Sequence, residues 1–311
     1  MRYRRVVLVV LLVLLAAGVT VYFAFPGVVL ALAQRAELRA AGLERRSIDV
    51  AGNHIEYLVG GSGEPMVLLH GFGGDKSVWV RVSRYLTPHF RIVAPDIPGF
   101  GESSQDPSAH YGIVEQVERI HAFVHALGLG PVHLGGNSMG GAIAGVYAAR
   151  HPEDLRSLWL LDPGWIRSAK PSELQQRMAQ GDNPLLVTDV AGFERLLAFV
   201  FFERPSIPRP IERYLAEQAI VHRPFNEKIM GDFRAAPVIL EDEMKGVPTP
   251  TLITWGDHDR LVDVSGAQVL KSVMPHAEVV VMPNVGHVPM VEKPEAAARA
   301  FLKFRKIEQV S

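Results

Sequence analysis

The sequence predicts an α/β domain built on a mostly parallel sheet and preceded by one apolar helix. Short β-rich runs alternate with helical patterns through most of the chain, and this alternation is typical of parallel strands with helices on both faces. Residues 6–25 contain no charged side chain, so the first segment differs in kind from the rest.

The apolar segment has the length of a transmembrane helix. Its residues, 6–25, rise by ~1.5 Å each and cover roughly 30 Å, one hydrocarbon core. A cleaved signal peptide is the alternative, with an A-x-A site at 31–33, but signal h-regions run only ~7–15 residues. We therefore expect a retained single-pass anchor over residues 1–26. The flanking arginines and aromatic residues agree with a membrane helix: Arg2, Arg4, Arg5, Tyr22, Phe23 and Phe25.

The basic N-terminus favours a cytoplasmic start, which places the following domain on the non-cytoplasmic, periplasmic side. Four arginines beyond the span weaken this assignment: Arg35, Arg39, Arg45 and Arg46. Residues 27–46 are expected to form a juxtamembrane connector helix. It lies on the membrane surface or packs on the domain as a linker.

Eight strands are expected after the connector. Residues 66–69 and 158–161 are continuous apolar runs, which indicates strands buried on both faces of a parallel sheet. Helices are predicted at 114–127 and 139–150, between strands. The predicted strands are 47–50, 54–59, 66–70, 91–95, 132–135, 158–162, 251–254 and 278–282.

The alternation stops after the sixth strand, where several helical stretches follow without a strand. We expect residues 164–237 to be a helical cap, with 47–163 and 238–311 forming the core. The cap contains an apolar run near Phe193: Leu196, Leu197, Phe199, Val200, Phe201 and Phe202. This run lines an acyl tunnel or contacts lipid, or it packs the cap on the core, and the sequence leaves both alternatives open.

Composition excludes several classes of protein. The chain has 311 residues, with 32 Lys+Arg against 33 Asp+Glu and no cysteine. A formal charge of −1 supplies no basic field for nucleic acid, so no nucleic-acid partner is expected. The lack of cysteine excludes disulfides, thiolate metal sites and a cysteine nucleophile.

Residues 136–140 (G-N-S-M-G) place Ser138 between a predicted strand and a predicted helix. A G-x-S-x-G sequence in this context is a nucleophile elbow. Side chains at the two glycines would collide with the neighbouring strand and helix, and the helix N-terminus favours developing negative charge. The alternative is a serine that only caps the helix.

A serine nucleophile needs a base, and the base needs an orienting acid. His287 follows the last predicted strand and precedes a C-terminal helix, which is where the chain order serine–acid–histidine places the base. Three acid candidates follow the seventh strand: Asp257, Asp259 and Asp263. Asp259 has the best offset from the strand end, and Asp162, at the end of the sixth strand, is its competitor.

Residues 70–74 (H-G-F-G-G) follow the third predicted strand and supply backbone donors. The N–H groups of Phe72 and Met139 are expected to converge on the oxygen that becomes negative. A phosphate loop is the rival interpretation, but no G-K-[ST] follows and the G-x-G-x-x-G spacing is absent. Side chains expected at the substrate are those of Phe72, Phe199 and Val288.

His121 and His125 share a helix face four residues apart, a spacing found in metal-binding pairs. No Glu follows His121 and no third ligand is evident along the chain. Helix packing or simple surface exposure is therefore the favoured interpretation.

Together these motifs resemble those of the α/β-hydrolases and occur in family order. They are 70–74 (HGFGG), 96–103 (DIPGFGES), 136–141 (GNSMGG), 255–259 (WGDHD) and 286–287 (GH). Within that family the chain resembles the single-pass, membrane-anchored monoacylglycerol lipases and related bacterial lipases. The apolar span, 144–149 (AGVYAA) and 262–267 (VDVSGA) carry this narrower resemblance.

The resemblance implies an α/β-hydrolase fold, a Ser138–Asp259–His287 triad, an oxyanion hole at Phe72 and Met139, and neither metal nor organic cofactor. It implies hydrolysis of carboxylic esters, with acylglycerols as the first substrate expected. The expected partners are thus a neutral lipid or ester and the bilayer that holds the N-terminal helix. No protein partner can be inferred.

Other activities share this fold. A serine at 138 argues against haloalkane dehalogenases and epoxide hydrolases, which use a carboxylate nucleophile. Hydrolases of C–C bonds in vinylogous diketones and cofactor-free haloperoxidases keep the serine, and the triad alone does not separate them. The anchor favours a lipase, because lipid substrates partition into the bilayer. A membrane-tethered binding protein on the same scaffold is the non-enzymatic alternative, which an intact triad disfavours.

Overall fold

An eight-stranded, mostly parallel sheet forms the centre of the protein. The structure is a computed structural model that describes residues 2–307, except for the side chains of residues 2 and 12–17. The order is β1-β2-β4-β3-β5-β6-β7-β8. β1 and β2 join it antiparallel, and the other neighbours are parallel. All eight predicted strands are present: β1 Leu43–Val50, β2 Asn53–Gly60, β3 Glu64–Leu69, β4 Phe90–Pro95, β5 Val132–Asn137, β6 Leu155–Leu161, β7 Thr251–Gly256 and β8 Glu278–Met282.

The register of the central strands aligns their carboxyl ends. Leu69 of β3 pairs with Gly136 of β5, and Leu161 of β6 pairs with both Asn137 and Thr254. The loops that follow these strands therefore leave the sheet at one edge, where ligands bind in open α/β sheets.

Helices cover both faces of the sheet and bury two apolar clusters against it. The predicted helices at 114–127 and 139–150 correspond to α4 and α5. The helices are α1 Arg2–Ala24, α2 Pro26–Ala40, α3 Val80–Leu86, α4 Ile113–Ala126, α5 Met139–Arg150, α6 Glu173–Ala179, α7 Val190–Val200, α8 Arg209–Ala235, α9 Leu240–Glu243, α10 Gly266–Val273, α11 Pro289–Glu292 and α12 Pro294–Phe304.

The connector is helical over a shorter range than expected. α2 ends at Ala40, and residues 43–46 belong to β1, so the prediction of a helix over 27–46 is wrong for its last residues. Gly42 adopts a φ of 66°, the left-handed conformation that ends many helices. This strand start left no apolar signal in the sequence, because β1 is an edge strand with mostly exposed side chains.

The first helix carries exposed apolar side chains, among them Val6, Leu8 and Phe23. Within the fully described residues no single helix is long and apolar enough to cross a bilayer, whereas the stretches Gly18–Ala24 and Pro26–Ala40, bent by 102°, pass that test as a pair. Met1 and the side chains of residues 12–17, which belong to the expected anchor, lie outside the described residues, as do residues 308–311.

Between β6 and β7, a stretch that the structure describes throughout, the chain forms α6, α7, α8 and α9 and no strand. We call residues 164–237 of this stretch the cap segment. Its longest helix, α8, contacts the connector, where a Cβ on Gly27 would lie 2.9 Å from the Tyr214 ring. The connector helix α2 and the cap segment are thus in contact.

Candidate active site

Ser138 occupies the turn between β5 and α5. Its φ of 55° is unusual for a residue with a side chain and indicates local backbone strain. Its amide donates to the Leu161 carbonyl at 3.0 Å, and its carbonyl accepts from the Gly164 amide at 3.1 Å. The strained turn is therefore tied to the end of β6 and to the start of the cap segment.

The two glycines that flank Ser138 are required because neighbouring backbone atoms leave no room for a side chain. A Cβ on Gly136 would lie 2.1 Å from the Gly140 carbonyl oxygen, and a Cβ on Gly140 would lie 2.2 Å from the Leu69 carbonyl oxygen. Both positions are closer than carbon and oxygen can approach without moving the backbone. The collision expected from the sequence is therefore found at both glycines.

His287 and Asp259 face each other directly. The Nδ1 of His287 lies 2.7 Å from Asp259 Oδ2, and both side chains are almost fully buried. The other oxygen of Asp259 accepts the amides of Leu261 and Val262 at 2.8 and 3.1 Å. These bonds fix the carboxylate so that it holds Nδ1 protonated and leaves Nε2 as the basic nitrogen.

The elbow and the histidine loop are joined by Asn137, which the sequence did not single out as a site residue. Its Nδ2 donates to the His287 carbonyl at 2.9 Å and to the Leu161 carbonyl at 3.2 Å. The structure thus brings Ser138 next to the His287 backbone. Among the described residues no hydrogen bond joins Ser138 Oγ to the imidazole, a contact that often closes only when substrate binds.

The other two acid candidates on this loop, Asp257 and Asp263, make different contacts. Asp257 Oδ1 contacts His258 at 2.6 Å, and Asp263 accepts the Ser265 amide at 2.9 Å. Asp162 comes closer, with a ligand atom within 4.8 Å of Asp259 and His287. The hydrogen bond of 2.7 Å between His287 and Asp259 leaves no space for an ion between the two bonded atoms.

Asp162 is a fully buried carboxyl behind the His287–Asp259 pair. Its Oδ1 accepts the Gly256 amide at 2.8 Å, while its Oδ2 has no hydrogen-bond partner among residues 2–307. Burial and the neighbouring Asp259 carboxylate raise the pKa of Asp162 well above its ordinary value. The protonated form places a hydrogen-bond donor beside Asp259.

The loop 70–74 packs against the elbow. A Cβ on Gly71 would lie 3.2 Å from the Ser138 Cβ, so this position keeps the loop close to Ser138. The Met139 amide is the first in α5 and lacks an intrahelical acceptor. Within the described residues the Phe72 amide has no partner either, so both donors remain available to an oxyanion.

A buried network holds this loop in place. Two of its members, His70 and Asp96, lie in the motifs 70–74 and 96–103, but the sequence did not indicate that they form a network. His70 Nδ1 donates to the Gly71 carbonyl at 2.8 Å, while its Nε2 accepts the Ile97 amide at 3.0 Å. Burial lowers the pKa of His70, which suits this neutral tautomer. Behind it Lys76 and Asp96 form a buried ion pair at 2.5 Å.

Glu292 links the cap segment to the histidine loop. Its Oε1 accepts the Gly286 amide at 2.8 Å, and its Oε2 accepts the amides of Phe202 and Glu203 at 3.0 and 3.1 Å. The His287 amide also donates to the Val200 carbonyl at 2.9 Å. The end of α7 is therefore fixed to the loop that carries His287.

The three residues expected at the substrate lie in different environments. The Phe72 ring packs edge-on against Phe233 of α8, with ring centroids 6.2 Å apart. Val288 is buried beside His287. Phe199 lies under the guanidinium groups of Arg177 and Arg260 and lines a cavity of about 460 Å³ whose lining includes neither Ser138 nor His287.

An aromatic wall begins at Phe72 and continues into the cap segment. Phe72 also contacts Phe100, and Phe233 contacts Trp165 at a centroid distance of 5.1 Å. Trp165 follows the sixth strand closely and has a φ of 63°. Phe233 is buried in the apolar core, so these rings join the cap segment to the loop of Phe72, a contact that only the fold creates.

The sheet order, the strained serine after β5 and the buried histidine–aspartate pair define a hydrolase of the α/β class. The chain belongs to the α/β hydrolase fold family, whose model matches residues 64–294.

Its relatives are named as lipases. Lipase 1 of Psychrobacter immobilis is 36% identical over 278 residues, 87% of each chain. Monoacylglycerol lipase abhd6-B of Xenopus laevis is 33% identical over 309 residues, 94% of this chain and 91% of its own. A solved structure described as a membrane phospholipase A, a bacterial virulence factor, is 42% identical with a TM-score of 0.89, covering 97% of this chain and 98% of its own.

Proposed function

We propose that this protein hydrolyses carboxylic esters of lipids, with Ser138 as nucleophile, His287 as base and Asp259 as the orienting acid. The buried contact of 2.7 Å between His287 Nδ1 and Asp259 Oδ2, at the edge of the sheet where Ser138 emerges, carries this proposal. Serine gains nucleophilicity only where such a base is held in a fixed tautomer.

The reaction proceeds in two steps. His287 Nε2 takes the Ser138 proton as the oxygen attacks the ester carbonyl, and the amides of Phe72 and Met139 stabilise the tetrahedral oxyanion. The imidazolium returns the proton to the leaving alcohol, which departs and leaves an acyl-serine. Water then attacks the acyl-serine through the same base, releasing the fatty acid and regenerating Ser138.

A neutral acylglycerol, with a monoacylglycerol first, is the substrate we propose. The lipase names of the relatives and the aromatic wall of Phe72, Phe233 and Trp165 support an apolar acyl chain beside the nucleophile. A phospholipid is the second candidate, because the relative described as a membrane phospholipase A covers almost the whole chain. Both carry the same carboxylic ester bond.

We further propose that residues 1–26 anchor the enzyme in a membrane and that residues 164–237 act as its cap, with the domain on the non-cytoplasmic side. The charge-free run 6–25 and the exposed apolar side chains of α1 support the anchor. The contact between Gly27 and Tyr214 supports a cap held close to the bilayer, where lipid substrates are concentrated.

A substrate panel tests the proposal. It contains monoacylglycerols, diacylglycerols, a phosphatidylcholine, p-nitrophenyl esters of rising chain length and one vinylogous diketone. We expect the highest kcat/KM on monoacylglycerol and complete loss with S138A. Preference for phosphatidylcholine selects the second candidate, preference for the diketone replaces ester with C–C hydrolysis, and undiminished turnover by S138A refutes the nucleophile.

A further inference from the structure

A second cluster of ionisable side chains lies on the helical layer, away from the elbow. Glu118, His121 and His125 are spaced three and four residues apart and therefore share one face of α4. That face meets the end of α5, where His151 caps the helix and Asp154 follows in a short turn. α5 places this cluster about 18 Å from Ser138, at 1.5 Å per residue.

Two imidazoles of this cluster point at one carboxylate oxygen. His121 Nε2 lies 3.3 Å and His125 Nε2 lies 3.0 Å from Asp154 Oδ2. The ligand atoms of all three residues lie within 4.8 Å of one another. Tetrahedral ligands at ~2.0–2.1 Å from a zinc ion are separated by roughly 3.3 Å, which the His121–Asp154 contact matches. The hydrogen bond of 3.0 Å between His125 and Asp154 has to lengthen by a few tenths of an ångström to admit the ion.

We propose that His121, His125 and Asp154 bind one divalent transition metal ion, with zinc the best match. Two imidazole nitrogens and one carboxylate oxygen are a donor set that zinc accepts, and water completes the tetrahedron. The metal pair that the sequence suggested lacked a third ligand. The fold supplies it from Asp154, 29 residues beyond His125.

The surroundings of Asp154 suit a ligand. Tyr147 Oη donates to Asp154 Oδ2 at 3.0 Å, and an outer hydrogen bond of this kind orients metal-binding carboxylates. The Asp154 side chain is only 15% exposed, which fixes its position as a ligand. The His125 side chain is 58% exposed, which gives the ion a path from solvent.

Two further donors flank His121. The His151 ring stacks on the His121 ring with centroids 3.9 Å apart, and its Nε2 is buried with no hydrogen-bond partner in the described part of the chain. Glu118 Oε1 lies 3.7 Å from that nitrogen. His151 and Glu118 thus form a second donor group with His121, separate from the group of His121, His125 and Asp154.

A metal ion at this site cross-links two segments of the chain. Its ligands come from α4 and from the turn after α5, two segments that otherwise meet through side-chain packing. An ion that binds the folded chain and not the unfolded chain stabilises it by mass action. The hydrolytic step at Ser138 does not use this ion.

Calorimetric titration of Zn²⁺ into EDTA-treated full-length protein in detergent tests the site. We expect one zinc per chain with a micromolar or tighter Kd, and a rise in Tm of roughly 5 °C at a hundredfold excess over Kd. H125A is expected to weaken binding roughly 100-fold or more, since replacing even outer partners costs 10–100-fold. Because His125 is exposed, its loss leaves the fold intact.

Two control variants keep the result specific. H222A removes an exposed histidine from α8 and is expected to bind zinc as the wild type does. H287A removes the histidine of the triad and is expected to keep the zinc. With Co²⁺ in place of Zn²⁺, an intense visible d–d spectrum is expected and is lost in H125A. Absence of stoichiometric binding, equal binding by H125A, or loss of zinc in H287A alone overturns the proposal.

Discussion

The loops at the carboxyl edge of the sheet and the cap segment above them are built by different kinds of contact. Ser138, Asp259 and His287 are each held by backbone hydrogen bonds inside a buried core. α7 buries only Phe199, and the 27 residues of α8 bury five.

The cap segment also carries ion pairs along exposed helix faces, including Arg213 with Glu217 and Arg223 with Glu227. Exposed pairs of this kind contribute little to stability. We therefore expect the geometry around Ser138, Asp259 and His287 to be rigid and the cap segment to tolerate substitution. Substitutions in the two regions test this difference.

The largest effect is expected at the acid. D259N keeps the shape of the side chain and removes the charge that holds His287 Nδ1 protonated, so kcat for a p-nitrophenyl ester should fall about 10⁴-fold. D263N, on the same loop, is the matched control and should stay near wild type. Comparable losses in D162N and none in D259N would transfer the role to Asp162.

Two glycine substitutions compare the regions directly. G140A places a Cβ 2.2 Å from the Leu69 carbonyl oxygen and should destabilise the fold by about 3 kcal/mol or more. G231A, within α8, has nothing within 4 Å of its new Cβ and should stabilise by ~0.5–1 kcal/mol. Urea unfolding measures both. Equal free energies of unfolding for G140A and G231A would contradict the proposed difference between the two regions.

Glu292 makes three of the hydrogen bonds that involve the cap segment and the histidine loop, beside the bond from the His287 amide to the Val200 carbonyl. E292Q turns one of its two acceptor oxygens into an amide that faces a backbone N–H, which should cost about 1–3 kcal/mol in the free energy of unfolding. E295Q, an exposed neighbour in α12, should stay within about 0.5 kcal/mol. An unchanged unfolding midpoint in E292Q would mean that the cap segment is held by other contacts.

The smallest effect concerns pH. The pKa of Asp162 is raised in the folded state. Its neutral form therefore stabilises the folded protein fully below the unfolded-state pKa of about 3.9, and this stabilisation is lost as the pH rises toward the folded-state pKa. The amide that D162N introduces does not titrate and retains a donor for Asp259. The Tm of D162N relative to wild type should therefore increase from pH 4 to pH 8, and parallel pH profiles would contradict the raised pKa.

Sequence patterns predicted the sheet and the elbow because local rules determine both. Continuous apolar runs marked β3 and β6, and the spacing of Gly136, Ser138 and Gly140 permits only a sharp turn. The start of β1 at Leu43 escaped prediction, because an exposed edge strand needs no apolar side chains.

The contacts that fix the site were beyond local rules. Asn137 reaches His287 across 150 residues, and Glu292 reaches Phe202 across 90. The third ligand of the His121–His125 pair likewise depends on how α4 packs against the end of α5. Such partners follow from tertiary packing, which spacing along one chain does not reveal.

Covalent labelling at the elbow tests the central claim most directly. Purified protein treated with a fluorophosphonate should gain one adduct per chain, which peptide mass spectrometry should place on Ser138. The rate of labelling should fall sharply in H287A and remain unchanged in H222A. A folded sample that stays unlabelled, or that carries its adduct on another residue, would contradict the assignment of Ser138 as the nucleophile.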